Sequence, residues 1–361
     1  MSDLLINGHD FGSWGCSYQR YTCKRCGVEY CPGGALGLST SLSECRGGRQ
    51  VNFRSTITIP NYVQPNFMHG TLHALVRNSY YRHRIIVLYS DPRVVEPETN
   101  PTADFEYPAD VGDRRPDGPV QPYRTVEDFV ADHRQWLSDN YVEMVDVTKQ
   151  VLDNKFKYPR WNGGTDTAFK DNLGLGMTET EWTVPNWDCD FHPGWHWDKP
   201  IFDFIESEKP TRKFLIPMHV QPLGVGSVTE VAAWDAWRDS PAISCHRLAV
   251  PTTRTGNSTT YVSEPEFFAF CRRAARRGER IVEPCGVRQR LHWLPAVLRA
   301  SELREAGGYS LMGSGYDIEI DDRLGRMGFQ KVGFADAFIL HKGYPPIESG
   351  QCPVRATGGA R

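Results

Sequence analysis

The sequence has no apolar run approaching the roughly 18 residues that cross a bilayer as a helix. Enzymes that polymerise sugars from within a membrane are therefore not the expectation. It also lacks an excess of positive charge: the formal net charge is −3. No overall field would recruit nucleic acid or a membrane surface, so any such partner must be met by a local patch. The opening Met-Ser-Asp-Leu-Leu-Ile-Asn-Gly-His-Asp has neither the basic start nor the apolar stretch of a signal peptide. The compartment expected is the cytoplasm, or the host cytoplasm for a viral protein. No Gly-x-Gly-x-x-Gly is present, which argues against an ordinary dinucleotide fold, and no internal repeat is found.

Cysteine, by contrast, is plentiful and uneven. Of the 10 cysteines, Cys16, Cys23, Cys26, Cys31 and Cys45 crowd the first stretch, and the rest are scattered. In a reducing compartment such a cluster points to metal rather than disulfides. Cys23-Lys-Arg-Cys26-Gly reads as a zinc knuckle, in which a turn presents two thiolates and Gly relieves the backbone. The second pair comes from Cys16, Cys31, Cys45 or His9, and Cys31 and Cys45 are taken to complete the set. Residues 1–50 are thus expected to form a small Cys-rich segment stapled by structural Zn²⁺, 51–344 the main domain, and 345–361 a mobile Pro- and Gly-rich tail.

Residues 54–62 read as a β-branched strand stopped by Pro60. Residues 66–80 carry Phe67, Leu72, Leu75 and Val76 at helical spacing, and 84–91 form a continuous apolar strand ending at Asp91. Strand, helix and buried strand make a βαβ unit and hence a mainly parallel α/β sheet flanked by helices. Ligands in such sheets lie beyond the carboxyl ends of the strands, which sets Asn61, Tyr62 and Asp91 at the mouth. An inserted loop is expected over 92–124. A helix over Val126–Leu137, a strand over Tyr141–Val147 and a helix entered from the Gly turn near 163 come next. Strands follow at Lys213–Met218 and around Ser244–Pro251, with helices at Glu264–Arg277, 295–310 and Asp317–Gly328. The last strand spans Lys331–Phe338.

Trp182-Thr-Val-Pro-Asn-Trp-Asp188-Cys-Asp190 is the focal stretch: an apolar run that ends in two acids one residue apart. At a strand's end both carboxylates can lean into one cleft, where hard oxygen ligands suit Mg²⁺ or Mn²⁺ carrying a diphosphate. A second cluster is basic. Seven arginines between 272 and 290 face only Glu279 and Glu283. Helical spacing would gather Arg272, Arg273, Arg276 and Arg277 on one face able to grip phosphates; a solvated helix face is the other reading.

Taken in order, several pieces resemble the family 2 glycosyltransferases, enzymes of the GT-A fold. They are Ile59-Pro60-Asn-Tyr62, the strand ending at Asp91, Asn172-Leu-Gly174, Asp188-Cys-Asp190, Gly307-Gly308-Tyr, Tyr316-Asp317 leading into Arg323-Leu-Gly-Arg-Met-Gly328-Phe, and Asp336-Ala-Phe-Ile-Leu-His341. The resemblance implies that Pro60, Asn61, Tyr62, Asp91 and Asp188 border the nucleotide. It implies that Asp190 and His341 hold the Mn²⁺ or Mg²⁺, and that Asp317 is the catalytic base of an inverting transfer from a nucleoside-diphosphate sugar, UDP-linked by preference. Two positions depart from the pattern: Tyr316 stands where an acid is expected, and Asp171 where a basic residue is common.

The zinc segment and the arginines invite a nucleic-acid acceptor, such as a hydroxymethylated base in DNA, as for a viral DNA-modifying member. Trp195 and Trp197 are candidates to hold a displaced base. A glycan, a protein or a small molecule is an equally admissible acceptor for such an enzyme. So is a module that binds nucleotide sugar or nucleic acid without turnover.

Overall fold

Ser-Thr-Ile-Thr-Ile-Pro-Asn is rich in β-branched residues, and in the computed structural model it forms strand β1 (Ser55–Asn61). The structure describes chiefly residues 53–61, 65–91, 126–155, 163–188, 191–222, 264–287, 295–311 and 315–341, with a few short strands elsewhere. Cys23, Cys26, Cys31, Cys45, Tyr62 and Asp190 fall outside the described residues, as do Arg288, Arg290 and the tail. The chain divides into two compact units, Met1–Phe53 and Arg54–Arg361. In the first, Asp3–Ile6 pairs antiparallel with His9–Ser13, and Tyr21–Thr22 with Glu29–Tyr30.

The second unit is α/β. Helix α1 (Pro65–Asn78) follows β1 and leads to β2 (His83–Tyr89), which lies parallel to β1 along its whole length. This is the expected βαβ unit. Helix α2 (Val126–Asp139) brings in β3 (Val142–Asp146), parallel to β2. Helices α3 (Thr148–Lys155) and α4 (Gly163–Met177) precede β4 (Trp182–Val184), which lies parallel to β1 on its other side. Strand β2 is buried on both faces, as its unbroken apolar run requires. Ile85 and Val87 face α1 and α2, while Ile86 and Leu88 face α3 and α4.

A second sheet forms from β5 (Phe191–Pro193), β6 (Lys213–Pro222), β7 (Val228–Glu230), β8 (Arg247–Val250), β9 (Arg280–Pro284) and β11 (Gln330–His341). Strand β10 (Leu298–Arg299) closes the edge of the first sheet against β4, while its neighbour Val297 bridges to Leu215 of the second. Helices α5 (Lys199–Glu208), α6 (Glu264–Ala274), α7 (Ala300–Glu305) and α8 (Tyr316–Arg326) complete the unit.

Several local expectations need correction. Strand β1 runs through Pro60 instead of stopping there. Thr58 turns its carbonyl toward the β4 side, where it accepts Trp187 N–H at 3.0 Å. Pro60, two residues on, faces that same side beyond the last rung of β4, so its missing N–H leaves no ladder bond unmade. Helix α5 was not foreseen, although Asp198-Lys-Pro200 places proline in its first turn. Residues 297–299 are extended, and only Ala300–Glu305 of the helix expected over 295–310 is helical. Trp197 is core, 1% exposed, so it holds no base; Trp195 is 58% exposed.

Helix α6 ends at Ala274, because Arg276 N–H is taken by the Ala335 carbonyl of β11 at 3.0 Å. The four arginines therefore do not share one helical face. Arg272, Arg273 and Arg277 are exposed, whereas Arg276 folds its guanidinium back onto the Arg273 and Ala274 carbonyls.

Candidate functional site at the carboxyl end of the parallel strands

Because β1, β2 and β4 are parallel, their carboxyl ends share one edge. Helix α4 sets the depth of that edge. A Cβ on Gly174 would lie 2.5 Å from Thr58 Cγ2, so only glycine lets the helix press this closely on β1. The contact carries Asp171 inward until its Oδ1 accepts the Thr58 hydroxyl at 3.3 Å and the Asn186 N–H at 2.8 Å. Asp171 is fully buried, and its Oδ2 has no hydrogen-bond partner among the described residues. Burial holds its carboxyl well above the usual carboxylate range; the two hydrogen bonds oppose that and the charge of Asp188 adds to it.

After β4 the chain turns at Asn186, whose φ of 52° suits asparagine better than most side chains. Trp187 plugs the core, and partly exposed Asp188 follows. The Asp188 carbonyl accepts Phe191 N–H at 3.1 Å, and Phe191 lies directly opposite His341 on β11. Asp188 and His341 thus come to the same end of the molecule from positions far apart in the chain. The His341 ring stacks on His219 at 5.0 Å and meets the Phe191 ring edge-on at 4.9 Å. Among the described residues no three acidic, His or Cys side chains gather closely enough to hold a metal. Asp190, which precedes Phe191 in sequence, lies outside them.

Asp317 arrives from a third direction, in the first turn of α8, where its Oδ1 accepts Ile318 N–H at 2.9 Å. A carboxylate there is favoured by the helix dipole. Beside it the Tyr316 hydroxyl accepts the Asn186 side-chain amide at 2.8 Å. Burial pushes that hydroxyl well above its ordinary range, with the carboxylates of Asp171, Asp317 and Asp188 adding to the effect in that order. Tyr316 thus lies within electrostatic reach of all three acids.

Gly307-Gly308-Tyr supports this cluster from below. Both glycines have positive φ, and a Cβ on Gly308 would lie 2.3 Å from Asn172 Oδ1. The Asn172 side chain instead clasps the Tyr309 backbone, accepting its N–H at 2.7 Å and donating to its carbonyl at 2.8 Å. The Tyr309 ring then packs edge-on to Tyr316 at 5.7 Å. Arg323 ties the Gly308 carbonyl at 2.7 Å to Glu319 on its own helix.

At the nucleotide side expected from the sequence, Pro60 is buried within β1 and Asn61 pairs with Tyr89 at the strand ends. Asp91, partly exposed, donates its N–H to Thr148 Oγ1 at 2.8 Å. Behind it Ser90 Oγ accepts the fully buried Lys170 ammonium at 2.8 Å, itself paired with Asp166 at 2.5 Å. Asp188 is thus linked through Asn186 to Tyr316, the neighbour of Asp317, and through Phe191 to His341, with Pro60, Asn61 and Asp91 at the ends of the parallel strands. Arg272 and Arg273 stand on a separate helix. The sequence alone gives no role to Asn186 or Lys170, and marks Tyr309 only as the end of Gly307-Gly308-Tyr.

No family model matches the sequence, and no curated protein matches it. Among solved structures, residues 1–349 of S. aureus TarS in complex with UDP-GlcNAc align with a TM-score of 0.45 at 10% identity, covering 82% of this chain and 60% of that one. A mannosyltransferase from Pyrobaculum calidifontis, in complex with GDP-Man and Mn²⁺, aligns at 0.42 and 11% identity over 81% of this chain and 58% of that one. GalNAc-T7 with UDP, GalNAc and Mn²⁺ aligns at 0.42 and 11% identity over 84% of this chain and 46% of that one. The chain spans less than two thirds of each of these proteins.

Proposed function

We propose that the unit from Arg54 onward transfers a sugar from a nucleoside diphosphate, UDP by preference, to an acceptor hydroxyl with inversion at the anomeric carbon. What supports this reading is the hydrogen bond from Asn186, two residues before Asp188, to the hydroxyl of Tyr316, the neighbour of Asp317, beside the carboxyl end of β1 and β4. Asp317 takes the proton of the acceptor hydroxyl as that oxygen attacks the anomeric carbon. The bond to the β-phosphate oxygen breaks on the opposite face, and its electron pair leaves with the diphosphate. A positioned base of this kind is worth about 10²- to 10⁴-fold in rate. Asp188 and Asp91 would contact the ribose and base, with Pro60, Asn61 and Tyr62 along the same rim.

Phe191, adjacent to Asp190 in sequence, sits opposite His341, and a carboxylate with an imidazole is a donor set suited to Mn²⁺ or Mg²⁺. Asp190 and His341 would hold that ion, which when bound supplies Lewis-acid stabilisation of the diphosphate charge.

One acceptor class is a nucleic acid carrying a hydroxyl-bearing base, beside a glycan, a protein or a small molecule. Arg272, Arg273 and Arg277 are exposed and make no ion pair with any described residue, so they are available to phosphates. Binding would then weaken steeply with salt.

Two measurements test the proposal. Nucleotide release from a panel of UDP- and GDP-sugars with Mn²⁺ should be seen, and should be lost in Asp190→Ala and Asp317→Asn variants. Binding without turnover would replace the enzyme reading with that of a non-catalytic module. A gel shift with DNA at low salt should weaken when Arg272, Arg273 and Arg277 are neutralised. No shift would move the acceptor to a glycan, a protein or a small molecule.

A further inference from the structure

Helix α8 begins without a side-chain cap. Its N-cap is Gly315, at φ 89°, which has no side chain to offer; within the first turn Asp317 Oδ1 takes only the Ile318 N–H. What ties the first helical residue to the rest of the site is one hydrogen bond from Asn186 Nδ2 to the Tyr316 hydroxyl, between residues 130 apart in sequence. Both ends of that bond are held. On one side the Asn186 backbone N–H is fixed to Asp171 Oδ1 at 2.8 Å, in a turn where its φ is positive. On the other, the Tyr316 ring rests against Tyr309, whose backbone is clasped by Asn172. Asn186 lies two residues before Asp188, and Tyr316 lies immediately before Asp317. The bond therefore spans the two segments whose separation decides the site.

We propose that Asn186 and Tyr316 are positioning residues: their hydrogen bond sets Asp317 at its working distance from Asp188. The inference rests on the sugar-transfer reading above. It also gives tyrosine at position 316 a task that a phenol performs without charge. A second carboxylate there would stand beside Asp171, which is fully buried, and like charges in such a place repel strongly.

The test compares Tyr316→Phe, Asn186→Gly and the double variant with the parent protein, using Mn²⁺ and the donor sugar found active in the panel. Phenylalanine keeps the ring against Tyr309, and glycine keeps the positive φ. Each single change should lower kcat by about tenfold or more while KM for the donor and Kd for UDP stay within about twofold. The double variant should be no slower than the worse single one, since both remove the same bond. Melting temperatures of the nucleotide-free proteins should show the same non-additivity. Should Tyr316→Phe fail to fold, the split between kcat and KM in Asn186→Gly decides alone. Unchanged kcat in either soluble variant, or additive losses in the double, overturns the proposal. A parent protein inactive on every donor overturns the transfer reading instead, and the melts then judge the bond by itself.

Discussion

The two ends of the first sheet carry buried polar networks of opposite character. At the amino end Ser55 Oγ meets His83 Nδ1 at 2.8 Å, and His83 Nε2 meets Asp198 Oδ2 at 2.9 Å. Asp198 also accepts the Tyr80 and Tyr81 N–H groups at 2.7 and 2.8 Å. The order resembles a hydrolase triad, yet Ser55 and Asp198 are wholly buried and no side-chain atom of the three lacks a partner. At the carboxyl end Asp171 Oδ2 and the Tyr309 hydroxyl are buried with no partner among the described residues. A network that is closed on itself stabilises; one left open beside converging carboxylates is where substrate chemistry is to be sought. A serine, a histidine and an aspartate in a row do not by themselves make an active site.

That contrast can be broken experimentally, beginning with its strongest side. Asp198→Ala strands His83 and two backbone N–H groups, and should cost about 3–5 kcal/mol of stability in urea unfolding. Turnover of the folded fraction should be unchanged. A loss of kcat without loss of stability would show that the amino end is functional after all. Gly174→Ala should cost about 1–3 kcal/mol, because the added methyl meets Thr58 where helix and strand touch. It should also reduce turnover, since α4 carries Asp171 into the cluster.

The smallest effect concerns pH. Asp171 has a folded-state value raised well above its ordinary 3.8 by burial. Between those two values the folded protein holds a proton that the unfolded chain has released. The stability this confers is complete below about pH 3.8 and is lost as pH rises through the folded value. Asp171→Asn should remove that dependence, so its melting temperature should gain on the parent as pH increases. Parallel curves would mean that Asp171 stays ionised.

How much of this was legible beforehand varies with the kind of signal. The βαβ unit was readable because Arg84–Tyr89 is an unbroken apolar run and 66–80 has helical spacing. Gly328 marked the end of α8, where its φ of +81° is observed. Helix α5 and β9 were missed, although Ile201, Phe202 and Ile205 lie at helical spacing and burial alternates along Arg280–Pro284. The arginine cluster was legible as composition and misread as geometry. One tertiary hydrogen bond, from Arg276 N–H to Ala335, ends the helix that was to align it.

The sequence by itself determined the strands that must be buried on both faces, the helices that cover them, and the acids that follow the focal strand. Periodicity and turn chemistry act over a few residues, and those features need nothing further. Only the tertiary structure decided that Asp188, Tyr316 and Asp317 meet, that Phe191 faces His341, and that Ser55, His83 and Asp198 close on one another instead of reacting. Each of those meetings joins segments from 28 to 150 residues apart. Such distances are set by how sheets and helices pack, and no local pattern records them.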